Sequence, residues 1–141
     1  TGFDTHTNNF NRLSNQLLPS VDEALAGLVT DLDQRGLLET TVVCCVGEFA
    51  RTPRINRQAG RDHWSRSMAA FLAGGGLQKG HVYGATDLRG QAPTTQPHSP
   101  DDLAAFFVHQ LTGSRDLHLT LPSGRRVPAW KNGTIIPGVS M

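Results

Sequence analysis

Between Val46 and Ser67 the chain reads VGEFARTPRINRQAGRDHWSRS, a polar stretch holding Glu48, Arg51, Arg54, Arg57, Arg61, Asp62, His63 and Trp64. Asp62-His63 sets a hard oxygen donor beside a borderline nitrogen donor, and Glu48 offers a second carboxylate. The arginines suit an anionic ligand. Arg51 either grips such a ligand through its two-pronged guanidinium or braces the loop through backbone carbonyls. A second group of oxygen and nitrogen donors opens the chain, where Asp4, His6 and Asn8 alternate with Thr5 and Thr7. In an extended segment those three share one face. Alone, each stretch reads more readily as a solvated loop with surface ion pairs, or as turn and cap residues, than as a site. Together they compose a mixed carboxylate–histidine site suited to zinc, manganese or another divalent ion. Glu48 and Asp62 either ligate or orient His63 from behind.

The elements that must position these groups follow from the apolar pattern. Phe10, Leu13, Leu17, Val21, Leu25, Leu28 and Leu32 recur at steps of three and four, which predicts an amphipathic helix over 9–35 with a buried stripe. Pro19 kinks or breaks it, and Arg35-Gly36 ends it. The run from Thr41 to Val46 is apolar on both faces, as in a central strand of a covered, largely parallel sheet. Met68 to Ala73 continues the strand alternation, Gly74-Gly75-Gly76 turns the chain, and 81–86 is a further short strand. No Gly-Lys-Ser/Thr follows those glycines, which argues against a phosphate-cradling loop. Ser99-Pro100-Asp101-Asp102 starts a helix that runs to Gly113. His109 within it reads as a packed or surface histidine. Short apolar pieces follow at 117–121, 127–130 and 134–136, separated by Pro122-Ser123-Gly124 and Asn132-Gly133, as in small hairpins. Asn132-Gly133-Thr134 reads as a tight turn before it reads as a glycosylation sequon. With parallel strands, both donor-bearing loops would emerge at the carboxyl edge of the sheet.

Size and charge bound the possibilities. A chain of 141 residues is one domain or part of one. Thirteen basic against twelve acidic residues leave a formal charge of +1, so no broad field draws nucleic acid. No apolar run nears the ~20 residues of a membrane span, and no targeting segment is seen. The first residue is Thr1, so the expectation is a processed start or a piece of a longer protein. Cys44 and Cys45 are neighbours on a strand and point to opposite faces, so they read as small buried hydrophobes without a mutual disulfide.

The segments GFDTHTNNF (2–10), LLPSVDEALAGLVTDLDQRGLLETT (17–41), VGEFARTPRIN (46–56), GRDHW (60–64) and AGGGLQKGHVYGATD (73–87) occur in that order. In this the chain resembles a large exported bacterial family catalogued as a domain of unknown function and placed in the alkaline phosphatase/sulfatase superfamily. The likeness runs to Gly113, and more loosely through Gly124 to Pro128. It implies an alkaline-phosphatase-like α/β fold, a largely parallel sheet flanked by helices, of which these residues form the carboxyl-terminal portion. It implies one or two divalent ions, zinc first and manganese or calcium as alternatives, on Asp4, His6, Glu48 and His63, with Arg51 and Asp62 in catalysis. In the superfamily's commoner spacing, Asn8 would replace His6 as the second ligand. The implied reaction is hydrolysis of a phosphate or sulfate ester, the substrate a small molecule or an anionic polysaccharide. The superfamily's nucleophile would lie in an amino-terminal segment that this chain lacks, and the protein would be exported to the periplasm. The competing expectation is a non-catalytic member that keeps the fold and a metal as an exported binding or scaffold protein.

Overall fold

The computed structural model describes residues 2–95, 97–114, 116–129, 132–134 and 136. They fall into two compact units, Thr1–Thr95 and Gln96–Met141. Every described strand pair is antiparallel, contrary to the largely parallel sheet expected from the sequence. β1 (Val42–Val46) pairs with β4 (Ala70–Gly74), from Val42 against Gly74 to Val46 against Ala70. β2 (Ala50–Arg51) pairs with β3 (His63–Trp64), β5 (Ala85–Thr86) with β6 (Pro93–Thr95), and β7 (His118–Thr120) with β8 (Arg126–Pro128). A two-stranded ribbon of five-residue strands replaces the expected parallel sheet, and the fold is not alkaline-phosphatase-like. The reason lies in the connection. A parallel neighbour needs a crossover, usually a helix, whereas residues 47–69 contain only the β2–β3 hairpin and return the chain directly. The two-faced apolar run of β1 is correspondingly not central: Val43 is buried, but Cys45 and Val46 are exposed.

The first helix forms over nearly the expected span, in three pieces. α1 (Asn9–Arg12) passes into a π-helical turn at Leu13–Leu17 and then into α2 (Leu18–Gln34). Pro19 lies in the first turn of α2. Its ring and missing N–H disrupt the ordinary ladder, and the widened turn just before it absorbs that disruption without breaking the helix. The stripe is not the buried core that its period predicts. No residue of α2 is buried, Phe10 and Leu28 are exposed, and Leu13, Leu17, Val21, Leu25 and Leu32 are half-buried. The glycine turn follows the reading: Gly74, Gly75 and Gly76 all have positive φ (77°, 58° and 74°), and Gly75 donates to the Leu38 carbonyl at 2.8 Å. No described helix is long and apolar enough to cross a membrane.

In the second unit α3 (Pro100–Thr112) begins as its sequence requires. Ser99 caps it, Asp102 accepts back from the Ser99 N–H, and Gly113 ends it in the left-handed region at φ 68°. Phe106 and Ala105 are fully buried. Gly133 lies against α3, where a Cβ would meet the Asp101 carbonyl oxygen at 2.1 Å. Of the expected tail pieces, β7 and β8 form a hairpin around Pro122–Gly124, whereas Trp130 and Ile135 lie outside the described residues.

Asp102 ties α3 to the tail. Its carboxylate accepts from the Ser99 N–H at 2.7 Å and from the Thr134 N–H and hydroxyl at 2.6 and 2.7 Å. The main-chain N–H of Ser99, then that of Thr134, hold the carboxyl well below the ordinary carboxylate range. A depressed folded value means the stabilisation is complete above about pH 4 and is lost as the pH falls below it. Asp102→Ala is therefore expected to cost about 3 kcal/mol at pH 7, from the lost cap and charge-assisted bonds. Urea denaturation should show the gap to wild type narrowing below pH 3, and a gap that stays constant with pH would refute it.

Candidate metal centre

Two loops of the first unit meet edge to edge. The main chain of 5–9 bonds to that of 58–61: Asn8 N–H donates to the Gln58 carbonyl at 3.0 Å, Asn9 N–H to Ala59 at 2.9 Å, and Arg61 N–H to Thr5 at 3.1 Å. Gly60 makes this approach possible, since a Cβ there would stand 1.9 Å from the His6 carbonyl oxygen. Beneath the seam the Thr5 hydroxyl donates to Asn9 Oδ1 at 2.5 Å, and both residues are only 1% exposed. Asn56 reinforces it, donating to the His6 carbonyl at 2.9 Å while its Oδ1 accepts from the N–H groups of Gln58 and Gly60. The expected convergence thus occurs, through main-chain pairing of two loops and not through parallel strands.

The seam gathers Asp4, His6 and His63, whose ligand atoms all lie within 4.8 Å of one another. Asp4 Oδ1 is 3.0 Å from His6 Nε2 and 2.9 Å from His63 Nε2, and the two nitrogens are 3.1 Å apart. Separations near 3 Å suit donors sharing one face of an ion bound at ~2.1 Å. His6 Nδ1–H donates to Asp62 Oδ1 at 2.7 Å. That bond puts the proton of a neutral His6 on Nδ1 and turns the lone pair of Nε2 toward Asp4 and His63. Asp4 Oδ1 and His6 Nε2 are both acceptors facing one point, and their repulsion is relieved by a proton on His63 Nε2 or by a cation in its place. The donor set therefore fits a metal, and the site could hold one. It lies at the surface, with His6, Asp4 and His63 side chains 43%, 63% and 50% exposed.

The neighbours set the electrostatics. His63 and then Arg51 hold the Asp4 carboxyl down at about 2. The bond from His6, then that from Asn56 at 3.2 Å, keeps Asp62 below the ordinary range as well. Both carboxylates are thus ionised across the neutral range. The β2–β3 hairpin places Arg51 directly opposite His63, on one face of the ribbon. The Phe49 ring packs on the His63 imidazole at 4.2 Å between centroids.

Of the residues singled out by sequence, Asp4, His6, His63, Asp62 and Arg51 come together. Glu48 precedes the ring that supports His63, and its carboxylate is not one of the gathered ligand atoms. Asn8 adopts the left-handed conformation at φ 48°, which ends the extended segment before its side chain can continue the face of Asp4 and His6. Arg51 takes the bracing alternative: it donates to Asp4 Oδ1 at 2.6 Å and to the Phe3 and Arg61 carbonyls at 3.1 and 3.3 Å. Asp62 orients His6, where the sequence suggested His63. Trp64 donates from Nε1 to the Gln91 carbonyl at 2.8 Å and is half-buried. Thr5, Asn9, Asn56 and Gly60 escaped the sequence reading, because Thr, Asn and Gly in a loop carry no signal beyond turn formation.

If Arg51 serves Asp4, Arg51→Ala should weaken zinc binding ten- to a hundredfold, the usual cost of removing a group that orients a ligand. Arg51→Lys should recover part of it, since a point charge replaces one prong of the fork. Zinc titration calorimetry checks both, and unchanged affinity in Arg51→Ala would return the residue to a substrate-holding role.

A two-histidine, one-carboxylate candidate metal centre on a pair of hydrogen-bonded loops is what this geometry defines. The chain belongs to the family described as Protein of unknown function (DUF1501), whose model matches residues 1–139. No curated protein and no solved structure matches it.

Proposed function

We propose that Asp4, His6 and His63 bind a divalent cation, zinc first and manganese or calcium as alternatives, and that the centre serves hydrolysis of a phosphate or sulfate ester. The observation that carries this reading is the convergence of two imidazole nitrogens and one carboxylate oxygen, with the His6 tautomer set by Asp62. Such an ion polarises the ester oxygens and stabilises charge that develops on them. The chain's own part is to hold Asp4 ionised through Arg51, to orient His6 through Asp62, and to support His63 with Phe49. Glu48, beside Phe49, is the carboxylate available to a second ion. The ester chemistry and export to the periplasm come from the resemblance to the alkaline phosphatase/sulfatase superfamily. That likeness is proposed for the reaction and not for the sheet.

The exposure of the three ligand side chains favours a second reading, an exported protein that binds metal without turnover. Metal content of the purified protein, together with its turnover of an aryl phosphate and an aryl sulfate, separates the two. Bound metal with metal-dependent turnover supports the hydrolase, and bound metal without turnover supports the binding protein. Absence of metal at micromolar zinc would overturn both.

A further inference from the structure

Two of the three ligand atoms are held in place from outside the cluster. Arg51 donates to Asp4 Oδ1 at 2.6 Å and to the Phe3 carbonyl at 3.1 Å. Asp62 Oδ1 accepts from His6 Nδ1 at 2.7 Å, and Asn56 donates to the His6 carbonyl at 2.9 Å. With its proton on Nδ1, a neutral His6 presents Nε2 as an acceptor, as Asp4 Oδ1 also is, yet the two stand 3.0 Å apart. No hydrogen bond between them can set that distance. The braces set it: Arg51 on one side, Asp62 and Asn56 on the other. His63 Nε2, its ring packed on Phe49, completes a nearly equilateral triangle at 2.9 Å from Asp4 Oδ1 and 3.1 Å from His6 Nε2.

The size of that triangle separates two coordination geometries. Donors at right angles on an ion ~2.1 Å away stand about 3.0 Å apart, whereas tetrahedral donors at the same bond length stand about 3.4 Å apart. All three edges match the first value and fall short of the second. Three donors at mutual right angles occupy one face of an octahedron, the arrangement that two histidines and one carboxylate give an open six-coordinate site. The three positions left over then share the opposite face, each adjacent to the other two. A four-coordinate ion on the same ligands would leave one position only. Iron(II) and manganese(II) favour the octahedral arrangement, and zinc, with no geometric preference of its own, accepts it. The ligand side chains are about half exposed, so solvent and small ligands reach the ion.

We propose that Asp4, His6 and His63 hold their ion six-coordinate by one face, and that the opposite face takes an oxyanion through two of its oxygens at once. The proposal rests on the metal-centre reading above and adds to it the coordination number and the class of ligand. That class is a chelating oxygen donor, such as an ester flanked by a hydroxyl, in place of a group bound through a single oxygen.

Cobalt(II) is the probe, dialysed into the whole chain and then titrated with oxalate, a small two-oxygen chelator. Its visible bands are weak in a six-coordinate field and intense in a tetrahedral one, so the spectrum reads the geometry directly. Wild type should retain cobalt with weak bands, and oxalate should shift those bands while the cobalt stays on the protein through a second dialysis. The Asp4→Ala/His63→Ala variant should retain at least tenfold less cobalt, which ties the spectrum to this site. Intense tetrahedral bands that vanish in the double variant would overturn six-coordination and leave the metal centre standing. Bands unmoved by oxalate, or cobalt drawn off the protein by it, would overturn the chelating face. Equal retention by the double variant, or no retention by wild type, would overturn both this proposal and the metal centre on which it rests.

Discussion

His63→Ala is expected to lower zinc affinity by at least about a hundredfold and to leave most of the fold intact. A group that merely orients a ligand costs ten- to a hundredfold when removed, so loss of one of three ligands should exceed that range. The fold should survive because His63 is half exposed and lies in a two-residue strand, β3, so truncation opens no buried cavity. Asp4→Ala should do the same by a second route, since Asp4 Oδ1 is the atom on which His6, His63 and Arg51 all converge. Because Arg51 acts through Asp4, the two changes should not add: Asp4→Ala/Arg51→Ala should bind zinc no worse than Asp4→Ala alone. Calorimetric zinc titration of wild type, the three single variants and the double variant, with melting curves alongside, checks this. Full additivity would mean that Arg51 meets the metal's surroundings by some path other than Asp4, and unaltered affinity in His63→Ala would remove the centre altogether.

The ligands of this centre were legible because donor type survives in sequence. Asp4, His6 and His63 stood out by what they can bind, but so did Asn8, Glu48 and Asp62 in the same two stretches, and donor type alone does not separate them. The α3 start was legible for a similar reason: Ser99, Pro100 and Asp102 act locally, within one turn, and need no knowledge of the rest of the chain. Strand direction is different. Val42–Val46 has the same residues whether its neighbour runs parallel or antiparallel, and only the connection decides. Residues 47–69, with Pro53 and Gly60 and no helical period, already argued for a direct return. The partners of Arg51 were not legible, since a guanidinium serves a substrate, a carboxylate and a carbonyl with the same fork. Half-burial of the α2 stripe was equally hidden, because periodicity says which face is apolar and not what covers it.

Gly60→Ala should separate what Gly27→Ala leaves together. The added methyl of Gly60→Ala would stand 1.9 and 2.1 Å from the carbonyl oxygen and carbon of His6 and 2.6 Å from the Thr7 nitrogen. These are backbone atoms, which cannot swing aside as a side chain can. The loops must part, and parting them strains or breaks the bonds from Asn8 to Gln58, from Asn9 to Ala59 and from Arg61 to Thr5. Three bonds at ~1 kcal/mol each, with exposure of the buried Thr5–Asn9 pair, put the loss at about 4 kcal/mol, in the range where single substitutions become diagnostic. Zinc affinity should fall by at least about tenfold although every ligand is still present, since the seam fixes the spacing of His6 from His63. Gly27 lies within α2 with nothing within 4 Å of an added Cβ. The same chemical change there should stabilise the chain by about 0.5–1 kcal/mol through the helix propensity of alanine, and leave zinc binding untouched. Urea denaturation and zinc titration of the two variants read both signs. A Gly60→Ala protein with wild-type stability and metal affinity would mean that the two loops do not meet as described, and that the convergence of Asp4 and His6 with His63 does not depend on this contact.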